Sequence, residues 1–448
     1  MAIVIKVTQF LLSLSLLVLV HEFGHFIAAR IFKMRVDKFY LFFNPWFSLL
    51  KIKGKQTEYG IGWIPFGGYC KIAGMVDESM DTEQLKQPPQ PDEFRSRSAW
   101  QRLLVMGGGV IMNVVLALAI YIGISYAWGE EYIATKDIKH GYVFSAIGKE
   151  MGFRNGDKIV SVDGKPVRTF RDLSLKMLLR RHPVVEVDRD GQLLTVTVGD
   201  EGIAKLIGGD APGEPLLRPR TPFVVDSVIV GGGAAQAGLM RGDSLVAVDG
   251  QSMAFADQFQ AAFAAAKGQV AQVTLVRDSA GVAVTKTLPV AISTEGMIGV
   301  AQAPFDRFIP ITSVTYTFWQ AFPAGFKRSG TEIANYWRQF ELLFRPKVQA
   351  YKHIGGPLAI GNMFQSHWNF HDFWGLTALI SIALAVFNLL PIPGLDGGHI
   401  LFTLAEIVTR RKPSDKFLEA AQWVGMLFIF AIIILATGND IYRIFFKG

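Results

Sequence analysis

Three stretches of this chain, Leu103–Trp128, Phe373–Leu395 and Ala420–Asn439, contain no charged residue. Each reaches the roughly 20 apolar residues that a helix needs to cross about 30 Å of hydrocarbon. A fourth run, Val7–Ala29, is comparably long but carries His21, Glu22 and His25. Ionisable groups within a span are costly unless they face protein or a wet cavity, so this run is marked as a functional segment. It has the length of a secretory signal, yet it lacks a small-residue cleavage site and holds its polar cluster inside the run; it therefore reads as a retained span. Four spans predict a multi-pass α-helical membrane protein. The charged fraction, 19% of 448 residues, lies below the about 25% of soluble chains and excludes a small soluble enzyme or a disordered tail.

Orientation follows from the basic residues. Only Lys6 precedes the first span, whereas Arg30, Lys33, Arg35, Lys38, Lys51, Lys53 and Lys55 follow it, and Arg410, Arg411, Lys412 and Lys416 separate the last two spans. Both loops are expected in the cytoplasm, which puts the segment from about 129 to 372 on the outer side. The net charge of +7 is thus a topology signal and not a nucleic-acid surface. The single cysteine, Cys70, closes no intrachain disulfide and builds no Cys-based zinc knot, so a metal here has to be held by His and carboxylate.

The outer segment has a different texture, with short Val-rich alternating runs separated by turn residues, and it repeats. Gly152 to Gly164 (GFRNGDKIVSVDG) aligns with Gly238 to Gly250 (GLMRGDSLVAVDG). In each copy Gly-Asp turns the chain into a strand, alternating apolar residues bury one face, and Asp-Gly makes the next hairpin. This pattern resembles the bacterial PDZ domain and predicts two in tandem. The loop from Met34 to Ile72 is aromatic and punctuated by Gly and Pro, which suits strands better than a helix. It reads either as an interfacial anchor or as a re-entrant β element, tolerated at membrane depth only against protein or a wet cavity. Gln87 to Pro91 is a linker, and Thr315 to Tyr351 an interfacial amphipathic helix leading to the third span.

His21-Glu22-Phe23-Gly24-His25 is H-E-x-x-H. One helical turn puts both imidazoles on one face toward one zinc, and Glu22 beside the first is placed to take a proton from water at the metal. A third ligand is needed. His21 lies about 12 Å below the inner end of its span, so the partner approaches from the cytoplasmic side. There the third span ends in Asn388-Leu-Leu-Pro-Ile-Pro-Gly-Leu-Asp396-Gly-Gly-His399. Pro391 and Pro393 break the helix, and the Gly pair permits close approach. Asp396 is the first candidate, with a rival reading as the N-cap of a helix over Gly397–Thr409; His399, one turn further on, is second.

H-E-F-G-H in the first span, N-x-x-P-x-P-x-L-D-G in a later one and PDZ modules between them resemble the site-2 protease family of intramembrane zinc metalloproteases. Two PDZ modules and four spans resemble its RseP subgroup in Gram-negative bacteria. Gly67-Gly68-Tyr69-Cys70-Lys71 matches the family's G-G-Y-V-K with Cys for Val, and Gly109-Val110-Ile111-Met112-Asn113 matches its G-P-x-x-N without the Pro. The resemblance implies that Zn2+ is the cofactor, that His21, His25 and Asp396 are its ligands and that Glu22 is the general base. From the residues themselves, Gly67 and Gly68 are read on an exposed strand edge expected to capture the substrate; the resemblance adds that Asn388, Pro391 and Pro393 contact the substrate backbone and that Asn113 handles substrate nearby. It also implies single-pass membrane substrates, such as anti-sigma factors and signal-peptide remnants, trimmed first by a site-1 type protease, and a place in the bacterial inner membrane with periplasmic PDZ domains and a cytoplasm-facing active site.

The expected organisation is 1–128 for the first membrane half with the re-entrant β element, 129–215 and 216–305 for two PDZ domains, 306–372 for the interfacial region and 373–448 for the second membrane half. Two other readings make different demands. An inactive PDZ adaptor lacks a ligand or the base, and all four residues are here. A proton- or ion-coupled transporter shows inverted repeats among its spans, whereas the repeat found lies in the outer segment.

Overall fold

Each apolar run folds as a helix. The computed structural model describes residues 1–75, 87–208, 215–279, 281–353 and 355–446, and these divide into two compact units. Unit one comprises Met1–Glu130, Thr315–Glu341 and Tyr351–Gly448; unit two comprises Glu131–Val314 and Leu342–Ala350. The expected boundary at 215/216 abuts residues 209–214, which lie outside the described residues.

In unit one, α1 (Ala2–Ile31), α2 (Ala99–Ala127), α3 (Phe318–Leu342), α4 (Phe370–Asn388), α5 (Asp396–Thr409) and α6 (Asp415–Phe446) are the principal helices. Among the described residues four of them, α1, α2, α4 and α6, are long and apolar enough to cross a membrane. α1 and α2 meet at glycines: a Cβ on Gly24 would lie 2.2 Å from the Gly108 carbonyl oxygen, and one on Gly108 would lie 2.6 Å from that of Gly24. Such backbone contact is how apolar helices associate where lipid is as apolar as the side chains. Polar side chains add interhelical bonds. Thr377 Oγ1 donates to Ser13 Oγ at 3.0 Å, and Ser381 Oγ donates to the Asn113 carbonyl at 2.8 Å.

The third apolar run extends to Leu395, but α4 stops at Asn388. Pro391 and Pro393 have no N–H to continue the ladder. Gly394, at φ +95°, turns the chain against α6, where a Cβ on Gly425 would collide with the Pro393 carbonyl.

The aromatic loop forms a sheet of β1 (Val36–Phe43), β2 (Leu50–Lys53), β3 (Glu58–Ile61) and β4 (Ile64–Ile72) in the order β2-β3-β1-β4. β1 and β3 are parallel; β1 and β4 are antiparallel, with Tyr40 opposite Tyr69 and Leu41 opposite Gly68. Tyr40 is fully buried, while Trp46 at the turn is 90% exposed and stacks on Trp63. β4 is an edge strand and packs against α1.

Unit two holds separate small sheets. One joins Lys158–Val162, Val184–Arg189 and Gln192–Thr197; another joins Gln251–Ser252, Ser244–Val248, Val270–Ser279 and Val282–Ala291. The two copies of the repeated sequence make matching bonds. Arg189 pairs with Asp157 and donates to the Gly152 carbonyl, as Arg277 pairs with Asp243 and donates to that of Gly238. The backbone N–H of Arg154 bonds Asp157 as that of Met240 bonds Asp243. Removing one partner of so enclosed a pair strands a charge. Asp243→Ala is therefore expected to cost about 3–5 kcal/mol, read as faster hydrogen exchange across Val270–Ser279. The tail Leu342–Ala350 joins unit two because Arg345 donates to the carbonyls of Arg180 and Leu179, the open end of the helix Phe170–Leu179. The expected interfacial region is thus shared between units: its helix, α3, exposes Trp319, Phe326 and Trp337.

Candidate metal centre

α1 carries His21, Glu22 and His25 on adjacent turns, and α5 begins with Asp396. The chain reaches that position through the Leu389–Leu395 turn. A Cβ on Gly397 would lie 2.1 Å from the Leu390 carbonyl oxygen and one on Gly398 would lie 2.6 Å from that of Ile392, so the Gly pair lets α5 fold back on the turn. Leu395, not Asp396, is the N-cap, and no side chain caps this helix. The Asp396 carboxylate is not used in capping.

Three donor atoms converge. His21 Nε2 and His25 Nε2 are 3.3 Å apart, and each is 3.3 Å from Asp396 Oδ2. Ligands placed tetrahedrally about 2.0–2.1 Å from a zinc ion stand about 3.3–3.4 Å from one another. The chemistry of the atoms points the same way. His25 Nδ1 lies 2.9 Å from the Val105 carbonyl oxygen, an acceptor only, so in the neutral ring this nitrogen carries the proton and Nε2 presents its lone pair. Asp396 Oδ2 is buried without a hydrogen bond. A ring proton satisfies one edge of such a triangle; a cation at its centre satisfies all three. Among the described residues no other group of His, Cys, Asp or Glu brings three donor atoms this close.

The remaining expected residues fall around this triangle. Glu22 accepts a hydrogen bond from the Cys70 backbone N–H of β4, and a Cβ on Gly68 would lie 3.5 Å from Glu22 Cγ. Gly67, at φ +145°, precedes it on the same edge strand. Glu22, Gly68, Tyr69, Asp396, His399 and Gln422 line one cavity with the two imidazoles. His399 borders the cavity without joining the triangle. Asn388, the last residue of α4, has Nδ2 3.3 Å from His21 Nε2. Asn113 is fully buried, with Nδ2 3.1 Å from His21 Nδ1. Pro391 and Pro393 shape the turn and make no contact with the triangle in the hydrogen-bond network. Two features were beyond motif reading, the Val105 carbonyl and the Cys70 N–H; Gly109, already matched as the first residue of the motif that ends at Asn113, finds its physical reason here, since a Cβ would lie 2.4 Å from His25 Nε2 and 2.6 Å from His21 Cε1. Backbone groups leave no trace in side-chain pattern, but the four-residue spacing of 105, 109 and 113 was a legible sign of one helix face.

The model of Peptidase family M50 matches residues 9–432. The chain belongs to peptidase family M50. This is the site-2 protease family, whose members use zinc. The M50 match spans both the H-E-x-x-H helix and Asp396, and with the long apolar helices it makes the chain a membrane protein of a zinc metalloprotease family. Full-length relatives agree. Proteins named "Putative zinc metalloprotease" from Treponema pallidum and Vibrio cholerae are 28% and 29% identical, covering 98% and 97% of this chain and 100% and 98% of their own length. One of the same name from Neisseria meningitidis is 28% identical over 97% of this chain and 98% of its own.

Proposed function

We propose that this M50 member is an intramembrane zinc endopeptidase that cuts single-pass membrane proteins in or near their transmembrane segment. The observation that carries the reading is the 3.3 Å triangle of His21, His25 and Asp396, with Glu22 beside it, on helices apolar enough to cross a membrane. His21, His25 and Asp396 would hold zinc, which when bound would supply Lewis acidity and bring the pKa of a water toward about 7. Glu22 takes a proton from the attacking water and returns it to the leaving amine. The Cys70 N–H holds the Glu22 carboxylate in place for both transfers.

A transmembrane substrate hides its carbonyls in helical hydrogen bonds and has to unwind before cleavage. The β4 edge beside Glu22 takes the unwound segment as an added strand, and Asn388, with the Pro391–Pro393 turn, holds the backbone on the opposite side. Residues 129–215 and 216–305 form tandem PDZ domains on the periplasmic side of the inner membrane, with the matching Asp–Arg bonds as support. They screen the outer part of a substrate after a site-1 type protease has trimmed it. Anti-sigma factors and signal-peptide remnants are the expected substrates. Residues 1–128 and 373–448 are the membrane halves, and 306–372 connects them to the PDZ pair.

The test is cleavage of a tagged single-span substrate by the purified chain in detergent. Wild type cuts it, whereas Gly67→Pro and Gly68→Pro abolish cleavage with zinc still bound, because Pro fits neither φ +145° at Gly67 nor a strand interior. Cleavage by the Pro variants contradicts strand capture; no cleavage by wild type contradicts the peptidase reading.

A further inference from the structure

α2 presents one face to the metal site at four-residue intervals. At Val105 the backbone carbonyl accepts from His25 Nδ1–H at 2.9 Å. At Gly109 the face is bare, since any Cβ would collide with both imidazoles. At Asn113 the side-chain amide meets His21 Nδ1 at 3.1 Å. Asn113 has no exposed surface and does not line the cavity. Its Oδ1 is buried with no hydrogen-bond partner, and Ser381 fixes its backbone through the carbonyl.

A histidine that binds metal through Nε2 keeps its proton on Nδ1, and that N–H needs an acceptor, which fixes both tautomer and ring orientation. His25 has the Val105 carbonyl. An amide nitrogen at His21 Nδ1 does the opposite: it donates to Nδ1, drives the ring proton onto Nε2 and leaves Oδ1 orphaned. Turning the amide half a revolution about its Cβ–Cγ bond exchanges two nearly isosteric ends. It gives His21 Nδ1–H an acceptor and Oδ1 a donor.

We infer that Asn113 is a positioning residue that holds His21 in the Nε2-ligating tautomer through its amide oxygen, so that α2 orients both imidazoles. This inference rests on the reading of His21 and His25 as zinc ligands. It gives Asn113 a place behind the metal instead of the substrate contact expected from the sequence.

The test is zinc affinity of the full chain in detergent, measured by competition with a chromogenic chelator, for wild type, Asn113→Leu and Asn113→Asp. Leucine is close in volume and offers no acceptor; aspartate keeps an oxygen facing Nδ1. Asn113→Leu is expected to lose about 10–100-fold in affinity and Asn113→Asp to bind as tightly as wild type or more so. Cobalt-loaded Asn113→Leu is expected to show an altered visible absorption spectrum. Zinc binding by Asn113→Leu equal to wild type, with only a raised KM, overturns the inference in favour of substrate contact. Equal weakening of Leu and Asp variants overturns it in favour of packing. Elution volume and helicity of the chelator-treated variants establish folding, and where the leucine variant fails that check Asn113→Ala is read against Asn113→Asp in the same way. If wild type itself holds no zinc, it is the peptidase reading that fails.

Discussion

Asp396→Ala is expected to remove bound zinc and cleavage together. In the proposed ligand set the carboxylate is the only donor that does not come from α1, and it supplies the only negative charge in the triangle. Two imidazoles one turn apart remain without it. Loss of partners that merely orient ligands costs 10–100-fold in metal affinity, so loss of a ligand itself is expected to cost at least about 100-fold, and cleavage falls with zinc occupancy. Metal analysis of the purified variant against wild type, beside cleavage of the same substrate, reads both effects. His399 sharpens the test, because it borders the same cavity and was the alternative ligand in the sequence. His399→Ala is expected to retain zinc. Retention of zinc by Asp396→Ala with its loss in His399→Ala reverses the assignment.

Much of the membrane architecture was legible because the bilayer imposes a length. The apolar runs anticipated where α1, α2, α4 and α6 lie, each end falling within seven residues of the helix end. The third run misled at its inner end, since hydropathy does not separate a helix from the Pro-Gly turn that follows it, and Leu389 to Leu395 are as apolar as the span. The aromatic loop read correctly as strands, but the parallel pairing of β1 with β3 depends on contacts between residues distant in sequence. Residues Leu342–Ala350 looked like a continuation of α3. They belong with the β-rich unit because Arg345 finds two carbonyl acceptors there, a fit invisible in composition.

The candidate metal centre divides in the same way. H-E-x-x-H is legible because helix geometry alone brings positions four apart onto one face. Asp396 needed the turn after α4, which Pro391, Pro393 and the Gly pair announce. The supporting shell was hidden, because the Val105 carbonyl and the Cys70 N–H belong to the backbone and any residue type supplies them. Gly109 gains its reason only when α1 lies against α2.

Glu22→Gln separates chemistry from metal binding. Gln has nearly the size of Glu and keeps an oxygen to accept from the Cys70 N–H, but it takes no proton from water at physiological pH. General acid–base help of this kind is worth about 10²–10⁴ in rate, so cleavage is expected to fall by about that factor while zinc content stays at the wild-type level. The decisive measurement sets zinc content and cleavage of a tagged single-span substrate side by side for wild type and Glu22→Gln, both purified in detergent. Zinc in both proteins with cleavage only by wild type is the predicted result; equal cleavage by the two, or zinc in neither, contradicts the assignment of an intramembrane zinc peptidase.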